Sequence, residues 1–223
     1  MTSLFIFGSG ECDQLGLGDD GPPETKRAKP IPFFAPPMRI SSIACGGMHT
    51  IALSTEGLVY SWGCNDEKAL GRTGQENVPQ LVEVPTRSTG VSAGDSHSIA
   101  YNTQINLVFM WGSYRNSLTG QMHDPYTEPK RIGTVEFGRR ALKKVVSGAH
   151  HTLVLADDRL FAWGDPESGK IGRDIRTRRR NESSLNIEGL MEKGVVDVFA
   201  GAYTSFLRND ADMIKAWGLN NYG

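Results

Sequence analysis

The 223-residue chain is 39% hydrophobic and 22% charged, with a formal net charge of −1. These proportions are ordinary for a globular protein and exclude a global electrostatic pull toward nucleic acid or membrane, so charge-driven binding must come from a local patch. The early apolar run Leu4-Phe5-Ile6-Phe7 is too short for a signal peptide or a membrane span, and Cys12, Cys45 and Cys64 show no Cys-x-x-Cys spacing. An intracellular protein with reduced, structural thiols, no zinc site and no membrane contact is expected.

That first run ends in Phe7-Gly8 and a glycine-rich turn. The next stretch, 39–84, reads as one complete structural cycle. Ile40, Ile43 and Cys45 mark a strand over 40–45, Gly46-Gly47 turns the chain, and 50–53 is a second strand. Ser54-Thr55-Glu56-Gly57 forms a hairpin turn with glycine where positive φ is needed. A third strand alternates over 58–62, a polar loop fills 63–74, and a fourth strand covers 80–84. Strands this short cannot bury two faces alone, so successive cycles must stack on one another.

Two landmarks repeat in phase. An aromatic–glycine pair recurs as Phe7-Gly8, Trp62-Gly63, Trp111-Gly112, Trp163-Gly164 and Trp217-Gly218, in steps of 55, 49, 52 and 54 residues. A small-Gly-x-x-His/Thr element recurs at Gly46, Gly94, Gly148 and Gly201, in steps of 48, 54 and 53. A period near fifty built from short apolar runs is the pattern of a β-propeller. The expected fold is therefore all-β, with cycles starting near 1, 39, 87, 141 and 195 in one incomplete propeller over 1–223. The aromatic of each pair is expected to pack between blades, and His49, His97 and His151 to be buried rings hydrogen-bonded to backbone.

These elements resemble the regulator of chromosome condensation repeat, a seven-bladed propeller family. The resemblance rests on Gly8-Ser9-Gly10-Glu11-Cys12-Asp13-Gln14-Leu15-Gly16, on Trp62-Gly63-Cys64-Asn65-Asp66-Glu67-Lys68-Ala69-Leu70-Gly71-Arg72 and on Val91-Ser92-Ala93-Gly94-Asp95-Ser96-His97. It covers essentially the whole chain. It implies about four blades of the expected seven, and the first part of a longer protein or a shortened homologue. A sheet cut after Trp217-Gly218 would leave open edges, so aggregation or a partner is expected. The basic N-terminal tail with which such proteins reach chromatin is not seen ahead of the first strand.

The family's founding activity is guanine-nucleotide exchange on the small GTPase Ran at chromatin, and the resemblance implies that function here. Such exchange needs no nucleophile, metal or cofactor. The third cycle departs from the repeat after Trp111-Gly112, and Tyr114, Arg115, Asn116, Ser117, Leu118, Thr119 and Gly120 match the family's β-wedge, which presses into Ran. An ordinary long turn is the alternative reading. Asp95 matches an acidic contact with the GTPase, although an Asp in a turn is also a common turn former. Glu11 stands where the family has Asp, and His150 where it has another acidic residue, a departure that removes a fixed negative charge.

The most basic stretch is Arg173-Asp174-Ile175-Arg176-Thr177-Arg178-Arg179-Arg180. In the family a loop here inserts arginine into the acidic histone surface, which assigns Arg176, Arg178, Arg179 and Arg180 to histones, the nucleosome or DNA phosphate. A solvated loop is the alternative. Lys26-Arg27-Lys29 and Arg139-Arg140-Lys143-Lys144 are weaker clusters, one of which would serve nuclear import. The competing function is a propeller scaffold for protein–protein interaction that exchanges nothing. A propeller enzyme and a light sensor are disfavoured, the latter because every tryptophan occupies a cycle turn.

Overall fold

The computed structural model describes residues 4–116, 119–133, 136–172, 188–190 and 192–221. The described residues form five antiparallel sheets in chain order. The first pairs β1 (Phe5–Ser9) with β2 (Glu24–Pro30). The second runs β3 (Ile40–Cys45), β4 (His49–Ser54), β5 (Val59–Gly63) and β6 (Gln80–Val82). The third holds β7 (Gly90–Ala93), β8 (His97–Asn102), β9 (Leu107–Gly112) and β10 (Tyr126–Ile132). The fourth holds β11 (Leu142–Ser147), β12 (His151–Ala156), β13 (Arg159–Gly164) and β14 (Glu188–Gly189). The fifth holds β15 (Val195–Ala200), β16 (Thr204–Asn209) and β17 (Ile214–Gly218). Strand order within every sheet follows chain order, as hairpin connections require. The cycle read over 39–84 matches the second sheet to within two residues at each strand end.

The core lies between sheets. Ile51, Leu53, Val59 and Val82 of the second sheet meet Val91, Ala100 and Trp111 of the third. Ile99, Val108, Met110 and Ile132 of the third meet Leu142, Val145, Val154, Phe161 and Trp163 of the fourth. Leu153, Leu155, Leu160 and Ala162 meet Val195, Val198, Leu207 and Trp217 of the fifth. A sheet with neighbours on both sides buries both faces, so β4, β5 and β12 are buried at every position, their polar His49, Thr50, Ser54, Ser61, His151 and Thr152 included.

The aromatic–glycine pairs behave as joints. Trp62, Trp111 and Trp163 are fully buried, and three indole N–H groups donate across a joint to the preceding cycle: Trp62 to the Gln14 carbonyl, Trp111 to Ala69 and Trp217 to Lys170. Gly16 and Gly71 lie flat on Trp62 and Trp111; a Cβ at Gly71 would stand 2.5 Å from Trp111 Cδ1. The partner glycine ends the strand with positive φ, as at Gly63 (φ 103), where a Cβ would stand 2.5 Å from the Met48 carbonyl oxygen. Phe7 departs from the expectation. It is 70% exposed, while its neighbours in the strand alternate in burial and Ile6 packs against the core that holds Trp62.

Candidate partner-facing surface

Each small-Gly-x-x-His/Thr element makes a turn that is hydrogen-bonded to its neighbours. The Gly47 N–H donates to the Asp95 carbonyl (3.2 Å), Asp95 N–H to Ala149 (2.8 Å) and Ala149 N–H to Ala202 (2.9 Å). The residue after each Trp-Gly pair closes the same turn: Cys64 N–H donates to Met48, Ser113 to Ser96, Asp165 to His150 and Leu219 to Tyr203. These bonds gather the four turns and the loops that follow each tryptophan onto one face. Met48, Asp95 and Tyr203 are exposed on it.

The histidines are buried, but their partners correct the expectation of backbone bonds. His49 Nε2 lies 2.7 Å from Ser98 Oγ, His97 Nε2 3.1 Å from Thr152 Oγ1 and His151 Nε2 2.8 Å from Ser205 Oγ. Each ring therefore binds a side-chain hydroxyl of the next cycle, and the Ser98 and Ser205 hydroxyls in turn donate hydrogen bonds to the Ala69 and Lys170 carbonyls. Burial disfavours the imidazolium and lowers these rings from 6.5 to about 4, 3 and 4. They are neutral joints, not acid–base groups.

After Trp111-Gly112 the chain forms a small hairpin. Arg115 bridges Met122, the Asn116 N–H donates to Gln121 O (2.9 Å), and the His123 N–H donates to Tyr114 O (2.8 Å). At the described side of its tip, the Gly120 N–H donates to Asn116 O and Arg115 Nη1 donates to Gly120 O (3.0 Å). Thr119, Gln121 and Met122 are exposed. Ser117 and Leu118 lie outside the described residues, as do Arg176, Arg178, Arg179 and Arg180. Tyr114, expected at a partner contact, has its ring buried. It is 3% exposed, stacks on His123 (4.7 Å, 12°) and brings its hydroxyl to 3.4 Å from that of Tyr126. Burial first, then Tyr126, pushes its hydroxyl pKa up, so the ring stays neutral and anchors the hairpin base. Asn116 is likewise buried.

The structure brings Asp95 and His150 together, with Asp95 Oδ2 4.0 Å from His150 Nε2 and the Asp95 side chain 48% exposed. Burial lowers the His150 pKa, Asp95 opposes that shift, and Arg115 reinforces it. Glu11 is exposed on the first turn, which covers Trp62 two cycles before His150's neighbour Asp95. Sequence reasoning missed one pair altogether. Lys170 Nζ lies 2.7 Å from Asp165 Oδ2, with both side chains buried. Its signal was present, because Asp165 and Lys170 occupy slots where the first two cycles carry Ser9 and Gln14, then Cys64 and Ala69.

The model of the RCC1-like domain matches residues 3–223. The chain belongs to the RCC1-like domain family. It is 36% identical to the regulator of chromosome condensation of Homo sapiens, over 98% of this chain and 55% of that protein. It is 28% identical to the guanine nucleotide exchange factor SRM1 of Saccharomyces cerevisiae, over 99% of this chain and 53% of that one. The crystal structure of Prp20p from Saccharomyces cerevisiae superposes with a TM-score of 0.85 at 28% identity, covering 98% of this chain and 53% of that one. The chain thus spans about half the length of these relatives. Among the described residues of this RCC1-like domain no helix is long and apolar enough to cross a membrane, and no group of three or more His, Cys, Asp or Glu is placed to hold a metal.

Proposed function

We propose that this RCC1-like domain is part of a guanine-nucleotide exchange factor for the GTPase Ran that works at chromatin in the nucleus. The observation that carries the reading is the hairpin of the third cycle. It interrupts the repeat and presents Thr119, Gln121 and Met122 on the face that also holds Asp95 and His150. Relatives named as regulators of chromosome condensation and as an exchange factor support it, as does Prp20p, whose structure was described with its binding to Gsp1p and histones. The cycles are read as about four blades of a seven-bladed propeller, one domain over 1–223.

Exchange of this kind is a regulatory function, not covalent catalysis. The hairpin and Asp95 would bind nucleotide-free GTPase better than the GDP form. By reciprocity, the factor by which GDP weakens that contact is the factor by which the contact weakens GDP. An acid at Asp95 suits a lysine freed from phosphate. Release of labelled GDP from Ran tests the reading. Acceleration by this chain, or by the chain extended to the length of its relatives, is the expected result, and no acceleration by either overturns it.

One observation favours a second reading, a propeller scaffold that exchanges nothing. His150 stands where the family has an acidic residue, and its lowered pKa leaves it uncharged at neutral pH. Binding to Ran without faster GDP release would select that reading.

A further inference from the structure

The Asp165–Lys170 pair is buried, with side chains only 5% and 4% exposed, yet the fold of its turn does not need charge. The chain supplies its own comparison. In the first cycle the same two slots hold Ser9 and Gln14, and in the second Cys64 and Ala69, all neutral. The backbone duties are nevertheless unchanged. The Cys64 N–H donates to Met48 O as Asp165 N–H does to His150 O, and the carbonyls of Gln14, Ala69 and Lys170 each accept an indole N–H. Burying two charges is costly, and a neutral, well-packed replacement is often no less stable. A pair kept where neighbouring turns use neutral residues therefore calls for a purpose other than holding the turn.

Its surroundings supply one. A Cβ on Gly120, at the hairpin tip, would stand 3.7 Å from Asp165 Oδ1. Arg115, which holds the Gly120 carbonyl, acts electrostatically on both Asp165 and His150. The carboxylate itself is fixed on two sides, by Lys170 Nζ on Oδ2 and by the Glu167 N–H on Oδ1 (3.1 Å). Burial alone would raise the Asp165 carboxyl; the Lys170 hydrogen bond, the Glu167 N–H and the nearby cations outweigh it, so the group stays ionised.

We propose that the Asp165–Lys170 pair is a positioning element, in which Lys170 fixes the buried Asp165 carboxylate so that this carboxylate draws Arg115 and holds the third-cycle hairpin in its partner-facing geometry. This rests on the exchange reading for its functional consequence, but not for its structural one. Lys170 also joins this anchor to the fifth cycle, because its carbonyl accepts from both Ser205 Oγ and Trp217 Nε1. The hairpin's setting is thereby tied to the cycle that follows.

The test is the double variant Asp165→Ser with Lys170→Gln, which copies the first cycle, and the conservative Lys170→Arg. Amide hydrogen exchange over 114–123 is expected to speed up at least about tenfold in the double variant while β8 and β9 amides keep their protection, and to stay at the parental rate in Lys170→Arg. In GDP release from Ran, the maximal rate is expected to fall more than the half-saturating concentration rises. Unchanged hairpin exchange in a folded double variant overturns the proposal. So does global loss of protection, repeated in the isosteric Asp165→Asn, which would make the pair a stability element. If neither the parent nor the chain extended to the length of its relatives accelerates GDP release, the exchange reading fails while the hydrogen-exchange comparison still decides the positioning role.

Discussion

His49 and Ser98 lie on different sheets, 49 residues apart in the chain, and meet at 2.7 Å with both side chains buried. The contact recurs as His97 with Thr152 and His151 with Ser205. One residue type in one slot of the repeat therefore joins the second, third and fourth cycles each to the next. The rings are neutral in the fold, because burial holds all three pKa values well below 6.5.

That relationship predicts acid sensitivity. The folded-state values of about 4, 3 and 4 lie below the unfolded value, so the unfolded chain takes up protons first as pH falls. Stability is complete above pH 6.5 and declines from there toward pH 4, with a limiting slope of about 1.4 kcal/mol per pH unit for each histidine. Urea midpoints measured from pH 7.5 to 4 are expected to fall steadily. A flat profile would contradict the buried-neutral assignment.

A second prediction concerns the joints. Gly71 has φ 63 and a Cβ there would stand 2.5 Å from Trp111 Cδ1, whereas Gly18, at φ 78, faces only Val78 Cγ1 at 3.4 Å. Gly71→Ala combines backbone strain with overpacking and should cost about 2–4 kcal/mol, while Gly18→Ala should cost about 1. Equal losses by chemical denaturation would mean that the indole contact carries no energy.

On the partner-facing surface, Asp95→Asn removes a charge from a half-exposed side chain without altering the fold. GDP release from Ran should slow by about tenfold, with an unchanged melting temperature. His150→Asp, which places an acid where the resemblance implies one, should accelerate release. A decrease instead would show that the histidine itself contributes.

For the basic stretch, Arg178→Glu, Arg179→Glu and Arg180→Glu together should weaken nucleosome binding by tenfold or more, roughly, and flatten its salt dependence. Binding at parental strength, read by gel shift across salt concentrations, would remove the histone and DNA assignment.

Much of this was legible in the sequence. The strands over 40–45 and 50–53 and the Trp-Gly turns follow from short-range patterns, because alternation, glycine and turn residues act within a few positions. The surface was legible only in part. The break after Trp111-Gly112 marked the hairpin, yet Tyr114 looked like a contact and is instead its buried base, stacked on His123. Nothing local to Tyr114 reveals that His123 and Tyr126 return to cover it.

By itself, the sequence determined the repeat, its phase, the sheets that the phase produces and the family to which they belong. Only the tertiary structure decided that the histidines bind hydroxyls of the next cycle, that Phe7 is uncovered while Trp62 and Trp111 are sealed, and that Asp165 lies beside the hairpin tip. The division has a physical reason. Strand and turn preferences are set by neighbours in the chain, whereas burial, charge pairing and hydrogen-bond partners are set by neighbours in space, here about one repeat away.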